Sequence, residues 1–309
     1  MIRNGSLPFI ICFRMTVTTE FVSLKMTSTT TTFNEIQTHF DNNEVVHENV
    51  ELVERTSCTH DVRLYRFKLP NEEHVSGIMP GKHIRIAGQI NGKKLARKYS
   101  PVSEADLKGY FEVVFKVYPI NEQDPSLGSF SRYLDSVPVG AKLPMSGPFG
   151  KIAYQGNGSV LWNDGNIKHY SIIVMIAGGT GITPMIQLIR SIMRETHCST
   201  KIFLLYTNKT DKDVIFRDEL ERYARTHPEK FHMMLTLTRT DKIDGWSHTY
   251  GRINIDMARK LLAVLAESSA NETDTHHSST LVLICGRNDM NQTAKKICQE
   301  LGYNEIHVY

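Results

Sequence analysis

The sequence predicts two domains, a small antiparallel β-barrel followed by an α/β domain built on a parallel sheet. The chain has 309 residues, which is long enough for two separate cores. From about residue 45 to 150 short segments are separated by turns, whereas strands alternate with amphipathic helices after about residue 170. We therefore place the barrel at 45–152, a linker at 153–170 and the α/β domain at 171–309.

The clearest element of the first domain is a predicted hairpin. Residues 84–90 and 93–100 flank Asn91-Gly92, the strongest short signal for a two-residue hairpin turn. The segment 111–118 alternates apolar and polar residues, as a half-buried strand does. Several short antiparallel strands of this kind predict a small barrel.

The second domain is predicted from an unbroken apolar strand at 171–177, which is typical of a parallel sheet covered on both faces. Further strands are predicted at 201–206, 231–238 and 281–285, with helices near 213–226 and 257–267 and a last helix through Met290, Ala294 and Ile297. Ligands gather at the carboxyl ends of parallel strands. Thr238-Arg239 and Cys285-Gly286 lie at such ends, as does the turn that follows the first strand.

That turn, residues 177–184, reads Ala-Gly-Gly-Thr-Gly-Ile-Thr-Pro and leads into an amphipathic helix. Its glycines leave backbone N–H groups bare at the positive end of the helix, where phosphates bind. We predict Thr183 as the N-cap and Pro184 as the first helical residue. Pro184 stands where the common dinucleotide fingerprint has a third glycine, and the alternative is a tight connection without a ligand.

A second motif, Arg-Lys-Tyr-Ser-Pro-Val-Ser at 97–103, combines the groups that a flat phosphorylated cofactor needs. Arg97 offers a planar fork of donors suited to a pyrophosphate. Tyr99 lies on the same side of the strand and can cover a heterocycle, while Ser100 and Ser103 add hydroxyls. Alone, the motif would equally fit a basic edge strand.

Together, the Arg-x-Tyr-Ser-Pro motif, the glycine turn and Cys285-Gly286 resemble the ferredoxin–NADP reductase superfamily, and within it the NADH-cytochrome b5 reductase family. The resemblance extends over most of residues 48–309. It implies FAD on a Greek-key barrel and a nicotinamide cofactor, NADH or NADPH, on a Rossmann-like domain.

The resemblance also implies which residues meet the cofactors. For FAD they are Arg97, Lys98, Tyr99, Ser100, Ser103, Val114, Lys116, Ser129, Phe130, Ser131 and Thr183. For the nicotinamide cofactor they are Gly179, Thr180, Gly181, Pro184, Thr238, Arg239, Cys285, Gly286 and Met290. Ser100, Thr183 and Cys285 are expected nearest the reacting rings, as the catalytic residues.

The implied reaction is a hydride transfer from the nicotinamide to the flavin, followed by release of single electrons to cytochrome b5 or a similar heme protein. Arg97 and Lys98 lie with Lys93 and Lys94 in a basic cluster that could steer an acidic heme protein. For Lys93 and Lys94 a merely solvated hairpin is the alternative. Two other functions stay open, a reductase component of an oxygenase or nitrate-reductase-like system and a flavin-free nucleotide-binding protein.

Three positions depart from the family pattern. The run Arg-Asn-Asp at 287–289 precedes Met290 where relatives have prolines, and Ser129 replaces a lysine. Thr238 stands where NADH-specific relatives carry an aspartate, which would bind the ribose hydroxyls and repel a 2′-phosphate. We expect Thr238 and Arg239 to admit NADPH alongside NADH.

The composition argues against several classes of protein. A net charge of +3, without a basic run interleaved with aromatics, does not predict nucleic-acid binding. Five cysteines without a C-x-x-C pair predict a reducing compartment and no metal site. No stretch reaches the roughly 20 apolar residues of a membrane span. We expect a monomer.

Residues 1–44 are predicted to be an extension outside the fold, either disordered or a targeting segment. The first 25 residues contain three basic side chains and one acid, Glu20, and faintly resemble an organellar presequence. Peripheral membrane association would use this segment. We expect the protein in the cytoplasm or at the cytosolic face of the endoplasmic reticulum or mitochondrial membrane, with mitochondrial targeting as an alternative.

Overall fold

The computed structural model describes residues 46–240, 243, 245–267 and 279–309. The predicted extension at 1–44 lies outside the described residues. Within the described ranges, no helix has the length and apolar character needed to cross a membrane.

Six strands and one helix form the first part of the structure, which we call the barrel half. They are β1 (Val46–Ser57), β2 (Val62–Lys68), β3 (His83–Ile90), β4 (Lys93–Tyr99), β5 (Tyr110–Lys116), α1 (Ser129–Ser136) and β6 (Lys142–Phe149). The strands pair antiparallel in the order β4-β3-β6-β1-β2-β5. A bridge between Pro101 and Val113 joins the segment after β4 to β5, so the sheet closes on itself. The predicted antiparallel barrel is confirmed.

The predicted hairpin turn between β3 and β4 is also confirmed. Asn91 and Gly92 have φ angles of 50° and 75°, the left-handed pair that a type I′ turn requires. The pairing that follows sets Ile84 opposite Tyr99. β4 is an edge strand whose side chains are mostly exposed on both faces.

A third sheet occupies most of the stretch for which the sequence predicted only a linker. Its strands are β7 (Ile152–Gly156), β8 (Ser159–Trp162) and β9 (Ile167–His169), all antiparallel. Asn157 and Gly158, with φ angles of 47° and 72°, make a second turn of the Asn-Gly kind. The linker prediction is therefore wrong for this stretch, because its hairpin signal was overlooked.

The second part, which we call the α/β half, contains a parallel six-stranded sheet. Its elements are β10 (Ile172–Gly178), α2 (Thr183–Arg194), β11 (Lys201–Asn208), α3 (Arg217–Thr226), β12 (Phe231–Leu237), β13 (Thr249–Tyr250), α4 (Ile255–Glu267), β14 (Thr280–Cys285), α5 (Asn288–Glu300) and β15 (Ile306–Val308). The order β13-β12-β11-β10-β14-β15, with every pair parallel, confirms the predicted α/β class.

One hydrophobic cluster is shared by the two halves. Val102 and Val114 of the barrel half belong to the same buried cluster as Ile186 and Ile189 of α2. All four side chains are at most 3% exposed. Burial of this kind stabilises by about 25 cal/mol per Å² of apolar surface, so the cluster fixes α2 against the barrel.

We expect His307 to make stability depend on pH. It is 8% exposed on β15, and burial together with the charge of Lys151 lowers its pKa to about 4. The unfolded chain binds this proton near pH 6.5, so stability is complete above that pH and falls as the pH drops towards 4. The free energy of unfolding should fall between pH 7 and pH 4.5, and His307→Gln should make that fall smaller by about 1–2 kcal/mol. Urea titrations at the two pH values measure it. An equal reduction in a control substitution at the exposed His169 would contradict this.

Candidate functional site

The structure brings the two predicted cofactor motifs to the junction between the barrel half and α2. Directly after the Arg-x-Tyr-Ser-Pro motif, the carbonyl of Val102 accepts a short hydrogen bond from Arg190. The next carbonyl, that of Ser103, accepts one from Gln187 Nε2 at 3.0 Å. Because α2 begins where the glycine turn ends, these bonds hold one motif beside the other.

The glycine turn forms a single 3-10 turn, Gly179–Ile182, between β10 and α2. Gly179 has a φ of 53° and open space where a side chain would be, so a ligand can approach its backbone. A Cβ on Gly181 would lie 2.0 Å from the carbonyl oxygen of Cys285. Glycine at 181 therefore allows the turn to pack directly on the end of β14.

The predicted cap of α2 is wrong by one residue. Thr183 has helical angles of −61° and −41°, the cap is Ile182, and Pro184 is the second helical residue. The Thr183 hydroxyl donates to the carbonyl of Thr180 at 3.0 Å instead of capping the helix. The reason is that the 3-10 turn has already started the helical path before Thr183.

Tyr206 of β11 supports the glycine turn with a hydrogen bond. The sequence analysis did not predict this role. Its hydroxyl donates to the Gly179 carbonyl at 3.0 Å and accepts from the backbone N–H of Ile215 at 3.4 Å. Full burial raises the pKa of Tyr206, so the hydroxyl stays protonated as a donor. A lone tyrosine in the apolar strand 201–206 was the available signal.

The end of β14 faces the glycine turn. A Cβ on Gly178 or Gly286 would lie 2.5 or 2.7 Å from the sulfur of Met290, so both glycines make room for this thioether. Burial raises the pKa of the Cys285 thiol to about 12, which keeps it neutral. Cys285 is therefore a small, uncharged side chain at the end of β14.

On the barrel side, Arg97, Tyr99 and Phe130 come together at the start of α1. The Arg97 guanidinium lies 5.9 Å from the Phe130 ring centre, and the Tyr99 ring lies 6.4 Å from it. Burial raises the pKa of Tyr99, whose ring also packs edge-on against Phe115 at 6.1 Å. Lys98 is exposed on the opposite face of β4.

The first turn of α1, residues 129–131, follows Gly128 with its φ of 71°. A Cβ on Gly128 would lie 2.5 Å from the Cβ of Tyr118, so only glycine fits there. The Ser131 hydroxyl donates to the Gly128 carbonyl at 2.8 Å and accepts from the N–H of Tyr118 at 3.0 Å. Its side chain thus shapes the loop, while the N–H of Ser129 already donates to the Ser126 carbonyl at 3.1 Å.

His83 was also missed by the sequence analysis. It precedes Ile84, the partner of Tyr99, so the antiparallel register places it opposite Ser100. Its Nε2 is buried without a hydrogen-bond partner among the described residues. Burial, with the charges of nearby Lys98 and other basic groups, lowers its pKa to about 4. A neutral, unsatisfied imidazole beside Ser100 fits a polar cofactor such as FAD.

Four other predicted residues are placed as follows. The Ser103 hydroxyl accepts from the N–H of Glu112 at 3.0 Å, and Val114 is buried against α2 at 3% exposure. Thr238 and Arg239 lie exposed at the end of β12.

Comparison with known proteins matches this division of the chain. A family model described as the oxidoreductase FAD-binding domain matches residues 49–154. A second, the oxidoreductase NAD-binding domain, matches residues 175–296, which include the glycine turn and Cys285.

Individual relatives are similar over most of the chain. NADH-cytochrome b5 reductase 2 of Xenopus laevis is 37% identical over 265 residues, covering 82% of this chain and 84% of the relative. Nitrate reductase [NADH] 2 of Arabidopsis thaliana is 37% identical over 247 residues, covering 79% of this chain and 26% of the relative. The cytochrome b5 reductase domain of Ulva prolifera nitrate reductase superposes with a TM-score of 0.75 at 28% identity, covering 88% of this chain and all of that domain.

We expect Gly181→Ala to destabilise the protein by about 3 kcal/mol, since the new methyl group would meet backbone atoms of Cys285 and Gly286. Gly92→Ala is the matched control, because it places the same methyl group in open space at a left-handed turn. The control substitution should lower the free energy of unfolding by about 1 kcal/mol. Urea unfolding of both variants checks this, and equal losses would refute the packing argument.

Proposed function

Because the chain belongs to the NADH-cytochrome b5 reductase family of FAD- and NAD-binding oxidoreductases, we propose that it carries electrons from a nicotinamide hydride through FAD to cytochrome b5 or a similar heme protein. One observation carries this proposal. The hydrogen bonds from α2 to the carbonyls of Val102 and Ser103 hold the Arg-x-Tyr-Ser-Pro motif beside the glycine turn. The two sequence signals for the two cofactors therefore meet at one junction.

The barrel half would hold FAD. FAD, when bound, takes up a hydride as an electron pair and gives up electrons singly. Arg97 would bind the pyrophosphate together with the N–H groups of Phe130 and Ser131 in the first turn of α1. Tyr99 would cover the ring system, and Ser100 would hydrogen-bond to it. The uncharged Nε2 of His83 would find its missing partner there.

The α/β half would hold the nicotinamide cofactor. The open backbone at Gly179 and Thr180 would receive its phosphates, with Tyr206 fixing the orientation of the Gly179 carbonyl. Cys285, as a neutral thiol, would leave the charge of the ring undisturbed. Thr183 already donates its proton to Thr180, so its hydroxyl oxygen is free to accept a hydrogen bond from a ligand.

The heme-protein acceptor would dock on the exposed edge of the barrel half. Lys93, Lys94, Arg97 and Lys98 are exposed along β4, and Arg85 is exposed on the neighbouring strand. Such a basic edge attracts an acidic surface and speeds encounter at low ionic strength. The edge borders the Arg97–Tyr99 cluster, so a heme docked there would lie near the proposed flavin site.

The similarity to nitrate reductases supports a second candidate. In it, the chain supplies electrons to a nitrate-reductase-like or oxygenase component. The region matched corresponds to 26% of the Arabidopsis thaliana enzyme, so the relative has further parts that the match does not cover. The two candidates share the cofactors and differ only in the acceptor.

We also propose that the protein works as a monomer in the cytoplasm or on the cytosolic face of a membrane, either that of the endoplasmic reticulum or that of the mitochondrion. The cysteines that the structure describes are all free, as a reducing compartment favours. Residues 1–44 would supply any peripheral membrane attachment or mitochondrial targeting. Light scattering of the purified chain and cell fractionation test these statements.

NADPH is proposed as a second electron donor. At the end of β12, the Thr238 hydroxyl donates to the Asn208 carbonyl at 3.1 Å and brings no negative charge. The next N–H, that of Arg239, donates to the Lys209 carbonyl at 2.8 Å. This bond places two exposed basic residues at neighbouring strand ends, where a 2′-phosphate could bind between them.

Thr238→Asp should move the preference towards NADH. We expect kcat/KM for NADPH to fall about 10-fold relative to that for NADH, because a carboxylate repels the 2′-phosphate. Thr238→Asn, of nearly the same shape but uncharged, is the control and should change the ratio little. Steady-state kinetics with both donors decide, and a wild-type protein that strongly prefers NADH would overturn the NADPH proposal.

The main proposal is tested with the full chain purified and loaded with FAD. We expect a yellow protein whose flavin absorbance bleaches with NADH under anaerobic conditions and which then reduces cytochrome b5. The rate of cytochrome b5 reduction should fall with rising salt because the docking edge is basic. A colourless protein that takes up no FAD would favour a flavin-free nucleotide-binding role. Flavin reduction without electron transfer to cytochrome b5 would favour the second candidate.

A further inference from the structure

Lys116, which the resemblance assigned to FAD, lies between carboxylates from both halves of the molecule. It ends β5, and its ammonium contacts Asp61, which lies just before β2 in the barrel half. On its other side, Asp213 of the α/β half lies 3.2 Å away. The three side chains are only 15%, 21% and 11% exposed, so solvent screens this cluster less than it screens a surface ion pair.

Each carboxylate is held in place by other bonds. One oxygen of Asp213 accepts from the N–H of Thr210 at 3.0 Å and from its hydroxyl at 2.7 Å, which leaves the other oxygen for Lys116. The carboxylate of Asp61 accepts from the Thr59 hydroxyl at 3.3 Å. The backbone carbonyl of Asp61 accepts from the N–H of Val117 at 2.7 Å, which fixes this residue to the end of β5. The cluster therefore has little freedom to rearrange.

The position of the cluster differs from that of the other polar contacts between the halves. Gln187, Arg190 and Arg194 all reach the barrel half from α2. Asp213, by contrast, belongs to the short turn that follows β11. The cluster therefore joins the two halves at a second place, separate from α2.

A bound metal ion explains the arrangement of these carboxylates less well than the ion pairs with Lys116 do. One ligand atom each from His60, Asp61 and Asp213 lie within 4.8 Å of one another, a spacing that could hold a cation. The ammonium of Lys116 already contacts both carboxylates and supplies that positive charge. An ion-pair cluster accounts for the three groups without another ligand.

We infer that Lys116, Asp61 and Asp213 form a latch that sets the distance between the flavin held by the barrel half and the nicotinamide held by the α/β half. The inference rests on the proposed function, since it assigns one ring to each half. Hydride transfer needs the reacting atoms about 3–3.5 Å apart, and a displacement of about 1 Å can cost 100-fold in rate. Asp213 is thus a positioning residue that does not touch the cofactors.

Asp213→Asn tests the latch in the FAD-loaded protein. The amide oxygen can still accept from Thr210, but the charge that holds Lys116 is lost. In anaerobic stopped-flow experiments we expect the limiting rate of flavin reduction at saturating NADH to fall about 10-fold. The Kd for NADH should change much less, and the long-wavelength absorbance of stacked nicotinamide and reduced flavin should weaken.

The matched control is Arg194→Met, which removes exposed ion pairs to Glu104 and Asp106 across the same interface. Its limiting rate should stay within about 2-fold of wild type. A double variant, Lys116→Met with Asp213→Asn, should be no slower than the slower single variant, because both break one contact.

Separate outcomes overturn the latch and the proposed function. A wild-type rate in Asp213→Asn, or an equal fall in Arg194→Met, overturns the latch alone. A wild-type flavin that NADH does not reduce overturns the proposed function. FAD content and the unfolding midpoint are measured for each variant, and Lys116→Gln replaces Asp213→Asn if the latter does not fold.

Discussion

The packing of α2 against the barrel half is the constraint on which the rest of the structure depends. A buried amide, that of Gln187, reaches the carbonyls of Ile78 and Ser103, and Arg190 spans from Val102 to Glu219. Unsatisfied, such buried donors would cost about 1–3 kcal/mol each, so the polar groups specify one arrangement within an otherwise apolar contact. The same helix begins at the glycine turn. Fixing α2 therefore fixes the turn relative to β4.

The fold could be predicted where local chemistry decides it. Asn91-Gly92 specifies its turn by backbone angles alone, and the strand at 171–177 is apolar because both of its faces are covered. The overlooked turn at Asn157-Gly158 carried the same local signal. Thr183 was predicted wrongly because its role depends on more than local residue types. The 3-10 turn before it moved the start of the helix, and the spacing of residues in the sequence does not reveal such a turn.

The site could be predicted only in part, for a similar reason. Arg97 and Tyr99 are two residues apart on one side of one strand, so the sequence alone predicts that their side chains lie together. The partners of Lys116 and Tyr206 come from distant segments, and the unsatisfied nitrogen of His83 follows from strand register and burial. Periodicity carries no information about such long-range contacts.

The close fit of Met290 between Gly178 and Gly286 has a chemical consequence. The sulfur occupies the space that either glycine would fill with a methyl group, so the strand ends have no room for an added atom. Conversion of the thioether to a sulfoxide would introduce a polar oxygen at that point. The backbone ends of β10 and β14 thus pack around a side chain that oxidation would make polar.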